Sequence, residues 1–507
     1  MQDKTTVLRQ VFGYGAFRPG QEQIINQLLA GGDVLAVMPT GAGKSLCYQL
    51  PALLLPGVTI VVSPLISLMK DQVQSLLQMG VRAAYINSSL TEAQCRKALQ
   101  NAAAGLYKVV YVAPERLLTP SFLYFAQAAP ISLLCVDEAH CVSQWGQDFR
   151  PSYQHIRQFA DLLPAPVPVG AFTATATARV KEDIRAMLAL RDPLEVATGF
   201  DRPNLWFEVQ RLRPKEKYTA LTMYLAEHPD ASGIVYCATR KAVDEVYGKL
   251  AADGYAAARY HAGLDAGERR KSQDAFVYDQ VRVMVATNAF GMGIDKSNVG
   301  FVIHYNMPLD IESYYQEAGR AGRDGQPADC ILLYAASDVK LCQFLIDNGE
   351  PQPGADADIQ QQLKAAQHER LRRMTFYCHS TRCLRGELLW YFGEHAPRTC
   401  GGCGVCEPGR QRAAVTALLA KQAKARAAQE EANLDNRLLA RLKALRLTLA
   451  RRASVPAFAV FTDATLRDMC QERHLSLEQL RQVSGVGQVK LARYGEDFLR
   501  EIAAFEE

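Results

Sequence analysis

A lysine and a serine close a glycine turn in Met38-Pro39-Thr40-Gly41-Ala42-Gly43-Lys44-Ser45. Their types and spacing suit a chain of phosphates. The apolar run Val34-Leu35-Ala36-Val37 leads in as a buried strand, and Leu46-Cys47-Tyr48-Gln49-Leu50 leads out as a helix start. The N–H groups of Thr40, Gly41, Ala42 and Gly43 and the helix N-terminus would face the anion. Lys44 would reach the β- and γ-phosphates of ATP, and the Ser45 hydroxyl would hold Mg²⁺. The strict pattern has glycine where this chain has Met38, so an ordinary strand-to-helix bend is the alternative.

A second group is Asp137-Glu138-Ala139-His140, directly after the apolar run Leu133-Leu134-Cys135-Val136. A carboxylate at a strand end binds Mg²⁺ through water, and its neighbour can polarise the water that attacks a γ-phosphate. A solvated acidic turn is the alternative. Arg320 and Arg323 stand three apart among glycines, a spacing predicted to place both on one helix face, where they could meet the γ-phosphate together. A surface ion-pair helix would read the same way. Cys383, Cys400, Cys403 and Cys406 contain two C-x₂-C steps and a distal cysteine, the spacing of tetrahedral structural zinc. An iron–sulfur cluster is the other metal reading. Cys378 and His379 lie nearby as rival ligands and are expected to be bystanders.

These groups need a scaffold. The chain has 507 residues, 49% of them hydrophobic and 22% charged, with a net charge of +4. That allows three or four domains, and any polyanion surface must be local. No apolar run is long enough for a membrane span and the N-terminus lacks a signal peptide's apolar core, so a cytoplasmic protein without membrane partners is expected. Its 13 cysteines are then thiols or metal ligands. Short strands alternate with helices from 33 to about 198, and again from about 200 to 338, which predicts α/β architecture with two parallel-sheet lobes. Only the first lobe carries a phosphate loop, which suggests a nucleotide held between the two. Expected boundaries are 1–198 and 199–338 for the lobes and 339–409 for a helical zinc module. A linker at 410–433 and a small all-helical domain at 434–507 complete the chain. Residues 410–452 hold eleven basic residues against three acidic ones, a stripe suited equally to DNA phosphates or to a solvated helix.

Taken together, these motifs resemble superfamily 2 helicases, and specifically the RecQ family of DNA helicases, over residues 5–410 and 434–507. The resemblance implies two RecA-like lobes, a zinc module and a terminal helical domain of the type shared with RNase D (HRDC). In Phe12-Gly13-Tyr14 and Phe17-Arg18-Pro19-Gly20-Gln21 it implies adenine recognition, with Tyr14 stacking on the base, Gln21 reading its edge and Arg18 assisting. Ser63-Pro64-Leu65 and Pro114-Glu115-Arg116-Leu117 resemble strand-contacting motifs. Ser143-Gln144-Trp145-Gly146-Gln147-Asp148-Phe149-Arg150 resembles the family's aromatic-rich loop, with Gln147 where the family has His. Trp145, Phe149 and Arg150 are its implied DNA contacts. Thr173-Ala174-Thr175-Ala176 resembles the motif that links hydrolysis to lobe movement. Gly291, Asp295 and Gln316 lie in motifs implied to bind ATP, and Lys490, Arg493 and Tyr494 are implied DNA contacts of the last domain.

In function, the resemblance implies an ATP-dependent DNA helicase of 3′ to 5′ polarity acting in repair and recombination. Its cofactors would be ATP, Mg²⁺ and one structural Zn²⁺. Its partners would be single-stranded and duplex DNA, single-strand-binding protein and other repair proteins. Family members commonly carry a winged-helix domain after the zinc module. The stretch at 407–433 is too short to fold one, so a DNA-stimulated translocase or annealing protein with weak unwinding is the rival reading. An RNA helicase is a second, since the Asp-Glu-Ala-His box occurs there too.

Overall fold

The computed structural model describes residues 3–39, 41–143, 149–290, 296–349, 357–396, 398–409, 429–453, 455–472 and 476–506. Thr40, Trp145, Gln147, Gly291, Asp295 and the basic stretch 410–428 therefore lie outside the described residues. The chain forms two compact units: one holds the residues up to Phe200 and Ser484–Arg493, the other begins at Asp201 and includes Tyr494–Glu507.

The first unit is built on seven parallel strands: β1 (Val34–Val37), β2 (Val58–Val62), β3 (Ala83–Ile86), β4 (Val109–Val112), β5 (Ile131–Val136), β6 (Val169–Thr173) and β7 (Leu194–Ala197). Their order is β3-β4-β2-β5-β6-β1-β7. Val-, Ile- and Leu-rich strands buried on both faces are what a helix-covered parallel sheet requires. Every residue of β1, β2, β4 and β6 is buried. Lys44, Ser63 and Asp137 all follow strand carboxyl ends, the edge at which open α/β sheets take ligands. The predicted strands stand at β1, β2, β4 and β5.

In the second unit, β8 (Leu205–Arg211), β9 (Gly233–Tyr236), β10 (Ala257–Tyr260), β11 (Val283–Ala286), β12 (Phe301–His304) and β13 (Ala328–Tyr334) run parallel in the order β10-β11-β9-β12-β13-β8. β13 and β8 pair over seven residues, from Ala328↔Leu205 to Tyr334↔Arg211. β8 is an edge strand, and the cysteine loop extends it. The Phe207 N–H donates to the Gly402 carbonyl at 3.4 Å and the Gly404 N–H to the Phe207 carbonyl at 2.8 Å. Pairing covers an edge that would otherwise expose unmet backbone groups. Elsewhere in this unit, the buried Lys217 ammonium donates to the Asp338 carboxylate and to the Tyr305 carbonyl, both at 2.7 Å.

The helix Gln429–Ala453 runs across the expected boundary at 433. Its basic side chains are partly spent within the fold. Arg446 donates to Asp463 at 2.6 Å, Lys443 reaches the other Asp463 oxygen at 3.0 Å, and Arg441 donates to Glu501 at 2.6 Å. Those three are held by carboxylates and do not form a free anion-binding stripe. Phe458, Phe461 and Leu466 are the core side chains expected of the last domain from its sequence; Phe461 and Leu466 are buried, whereas Phe458 is only half-buried. No described helix is long and apolar enough to cross a membrane.

Candidate functional site

The loop after β1 takes its shape from two left-handed glycines, Gly41 (φ 88°) and Gly43 (φ 85°), a conformation that L side chains adopt only under strain. A Cβ on Gly43 would also lie 2.4 Å from the Gln21 amide nitrogen. That nitrogen donates to the Ala42 and Gly43 carbonyls, each at 3.2 Å, while the Gln21 oxygen accepts from the Arg18 N–H at 2.9 Å. The Arg18 guanidinium donates to the Gly41 carbonyl. Gln21 and Arg18 thus clamp the phosphate loop itself, and Gln21, only 2% exposed, has its amide committed there. Tyr14 is exposed. Lys44 donates to the Met38 carbonyl at 3.3 Å.

Asp137 and Glu138 follow β5. Burial, reinforced by the Glu138 charge and opposed by Lys44, pushes the Asp137 carboxyl up to about 7. Glu138 sits at φ 48°, ψ 48°, a left-handed backbone that a non-glycine residue holds only when its surroundings impose it. His140 Nδ1 lies 3.4 Å from the Glu138 carboxylate and 2.9 Å from the Thr173 hydroxyl, and Thr173 donates to the Thr175 carbonyl at 2.9 Å. The acidic box and the Thr173-Ala174-Thr175 motif are therefore one hydrogen-bonded group. Arg150, from the aromatic loop, donates to the Pro64 carbonyl at 3.0 Å. Phe149 is half-buried.

The Ser484–Arg493 segment belongs to this same unit. The Gly485 N–H donates to the Gly13 carbonyl at 3.0 Å, and Arg493 donates to Gln78 at 3.2 Å. Lys490 is half-buried, and desolvation lowers it to about 8. Tyr494 is 6% exposed and meets Phe461 edge-on with centroids 6.2 Å apart. It is a core side chain and not the DNA contact expected.

In the second unit the predicted arginine helix is corrected. The helix Ile311–Ala318, which carries Gln316, stops before either arginine. Arg320 and Arg323 stand on the turns beyond it, where Gly322 has φ +56°. The carbonyls there are taken by side chains rather than by later helix amides. Arg202 donates to Gly319, Ala321 and Gly322 at 3.4, 3.0 and 2.8 Å, and Asn204 donates to Gly322 and Gln326 at 2.9 and 2.8 Å. Arg320 is 6% exposed and stands near Tyr236, whose hydroxyl donates to the Phe290 carbonyl at 2.9 Å. Among the described residues the Arg320 Nε–H has no acceptor. A buried guanidinium with an open donor is suited to an arriving anion.

The sulfurs of Cys383, Cys400, Cys403 and Cys406 lie within 4.8 Å of one another, as tetrahedral zinc–thiolate geometry demands. Four backbone N–H groups already point at them. Gly386 donates to Cys383, Gly402 to Cys400, Cys406 to Cys403 and Cys400 to Cys406, at 3.3–3.5 Å. Burial opposes ionisation of Cys403, but N–H donors, that of Cys406 foremost, outweigh it and hold the thiol at about 7. The donor set fits zinc: four soft ligands, pre-oriented, with no position left for substrate. His379 is instead bound to the Tyr334 hydroxyl at 2.9 Å, and the Cys378 carbonyl accepts from Arg211 at 3.0 Å. Neither belongs to the cluster.

Four family models match in order along the chain: DEAD/DEAH box helicase over 18–184, helicase conserved C-terminal domain over 216–325, RecQ zinc-binding over 336–407 and HRDC domain over 435–502. The ATP-dependent DNA helicase RecQ of Bacillus subtilis is 37% identical over 592 aligned positions, covering 99% of this chain and 98% of the relative. That of Haemophilus influenzae is 35% identical, covering 97% and 94%. The Bacillus alignment is longer than this chain, so the relative has residues without a counterpart here. Among solved structures, yeast Dbp5 bound to RNA and ADP BeF3 has a TM-score of 0.57 at 19% identity, covering 72% of this chain and 98% of that one. The helicase MrfA bound to DNA has a TM-score of 0.54 at 17% identity, covering 66% and 51%. At those identities the likeness is one of fold alone and does not separate RNA from DNA helicases. The sequence relatives do, and this chain belongs to the RecQ family of ATP-dependent DNA helicases.

Proposed function

We propose that the chain uses ATP hydrolysis to move 3′ to 5′ along one DNA strand and separate duplexes during repair and recombination. Lys44 and the loop N–H groups hold the phosphates. Ser45 and Asp137 hold Mg²⁺, which would supply charge neutralisation at the β- and γ-phosphates. Glu138 orients the attacking water, with His140 Nδ1 3.4 Å from its carboxylate. Arg320 and Arg323 stabilise the charge that develops on the γ-phosphate, with Gln316, Gly291 and Asp295 lining the nucleotide. Tyr14 stacks on the adenine. Trp145, Phe149 and Arg150 meet single-stranded DNA, and Lys490 and Arg493 meet DNA when the Ser484–Arg493 segment leaves its present partners. The setting is the cytoplasm, with single-strand-binding and repair proteins as partners.

The observation that carries this reading is the position of His140, whose Nδ1 is hydrogen-bonded to the Thr173 hydroxyl at 2.9 Å and lies 3.4 Å from the Glu138 carboxylate. It joins the water-orienting carboxylate to a motif on a neighbouring strand end. Glu138→Gln tests it. ATP binding should be retained and DNA-stimulated turnover should fall about 10²–10⁴-fold. Turnover near that of the parent would remove Glu138 from the mechanism.

A weak unwinder that chiefly translocates is the second reading. One specific feature favours it: only residues 410–428 separate the last part of the zinc module, ending at Gly409, from the helix Gln429–Ala453. That length cannot bury the core of a winged-helix domain.

A further inference from the structure

The zinc loop and the arginine turn are joined by two guanidinium groups. Arg385, on the helix Leu384–Tyr391, is 5% exposed. It donates to the Asp201 carboxylate at 2.8 Å and to the carbonyls of Arg202, Pro203 and Leu205 at 2.7, 3.4 and 2.6 Å. Its other face meets the cysteine loop. A Cβ on Gly402 would fall 2.7 Å from its Nη2, so the loop passes directly against the guanidinium. Arg385 therefore fixes the path of residues 201–205 against the cysteine loop at Gly402. Arg202 and Asn204, on that same path, hold the carbonyls of Gly319, Ala321, Gly322 and Gln326. Arg320 and Arg323 are carried on that turn.

A turn beyond a helix end has no ladder of its own to hold it. Its conformation is set by whatever donates to its orphan carbonyls. Here the Arg202 fork serves three carbonyls, sharing that of Gly322 with Asn204 and the Gly325 N–H, and a lysine's single ammonium is a poor substitute for it.

We propose that Arg385 and Arg202 are positioning residues of the ATPase, through which the zinc-binding loop sets the turn that presents Arg320 and Arg323 to the γ-phosphate. The proposal rests on the assignment of those two arginines above. Neither Arg385 nor Arg202 touches the nucleotide. A displacement of the turn by about 1 Å would cost on the order of 10²-fold in turnover, while the loop that binds ATP stays intact.

The test uses the full-length, zinc-loaded protein with Arg385→Lys, Arg202→Lys and Arg320→Ala. For both lysine variants, kcat should fall about 10- to 100-fold at saturating single-stranded DNA. KM for ATP and affinity for ADP should stay within about twofold, because the phosphate loop is untouched. The tightening of ADP binding by aluminium fluoride, a γ-phosphate transition-state mimic, should be lost in proportion to kcat. Zinc content should remain one per chain. Adding Arg202→Lys to Arg320→Ala should cost clearly less than Arg202→Lys costs alone, since part of its effect passes through Arg320. Parental kcat and parental aluminium fluoride binding in Arg202→Lys would overturn the relay, as would an equal loss in the Arg320→Ala background. Should Arg385→Lys lose its metal, Arg202→Lys decides alone, because it touches none of the four cysteines. Normal turnover in Arg320→Ala would overturn the arginine assignment itself. A crippled Arg320→Ala beside a normal Arg202→Lys would overturn only the relay.

Discussion

Lys44 donates its ammonium proton to the Met38 carbonyl at 3.3 Å, which explains how methionine stands where the strict phosphate-loop pattern has glycine. The position contributes a backbone acceptor, its φ is negative, and the methionine side chain is fully buried in the sheet core. The left-handed conformations are concentrated at Gly41 and Gly43 instead. In the proposed function the lysine would leave that carbonyl for phosphate oxygens when nucleotide arrives, an exchange of a neutral acceptor for a charged one. Lys44→Ala should therefore abolish DNA-stimulated ATP hydrolysis, by at least about 10²-fold, and leave the melting temperature and DNA affinity close to parental. Normal turnover in that variant, measured by phosphate release, would sink the phosphate-loop assignment.

Asp137 gives a pH dependence with a definite sign. Its carboxyl, raised to about 7 by burial and by Glu138, is largely protonated at pH 6 and ionised at pH 8. In the proposed function Mg²⁺ would bind the ionised form, so metal binding should release a proton. The Mg²⁺ concentration needed for half-maximal turnover should then rise severalfold from pH 8 to pH 6. Asp137→Asn should remove that dependence along with most of the activity. A Mg²⁺ requirement that is flat across this range in the parent protein would contradict the assignment.

Asp463 makes a prediction about stability. Although burial opposes it, Arg446 and Lys443 hold its carboxyl down at about 2, from an ordinary 3.8. A carboxylate depressed in the folded state stabilises above its unfolded pKa and loses that contribution as pH falls through the folded value. The window is thus roughly pH 4 down to 2, and the contribution at neutral pH is about 2 kcal/mol. Asp463→Asn should lower the stability of the C-terminal helices at pH 7 by about that amount, with the difference from the parent shrinking as pH approaches 3. A variant equally destabilised at pH 7 and pH 3, followed by thermal melts, would point to lost packing instead.

How much of this is legible in the sequence depends on how local its cause is. The strand–turn–helix around Lys44 is dictated by consecutive residues, and the cysteine spacing by the metal it suits, so both are readable. β6 escapes notice because Gly170 and Ala171 dilute its apolar run, and β3 and β7 because each is a short strand at a sheet edge. The arginine turn reads as helix because the groups that hold its carbonyls, Arg202 and Asn204, stand more than a hundred positions away. The basic stripe looks like a DNA surface because Asp463 and Glu501, which occupy Lys443, Arg446 and Arg441, lie beyond its end. Tyr494 has a periodicity that fits either a core or an exposed face, and Phe461 decides between them.

Strand displacement tests the central claim most directly. The full-length protein, ATP and Mg²⁺ would be given two duplexes, one with a 3′ single-stranded tail and one with a 5′ tail, with ATP turnover followed in parallel. The expected result is DNA-stimulated turnover and opening of the 3′-tailed duplex alone. Turnover stimulated by DNA with neither duplex opened would contradict the claim, leaving a motor without a wedge.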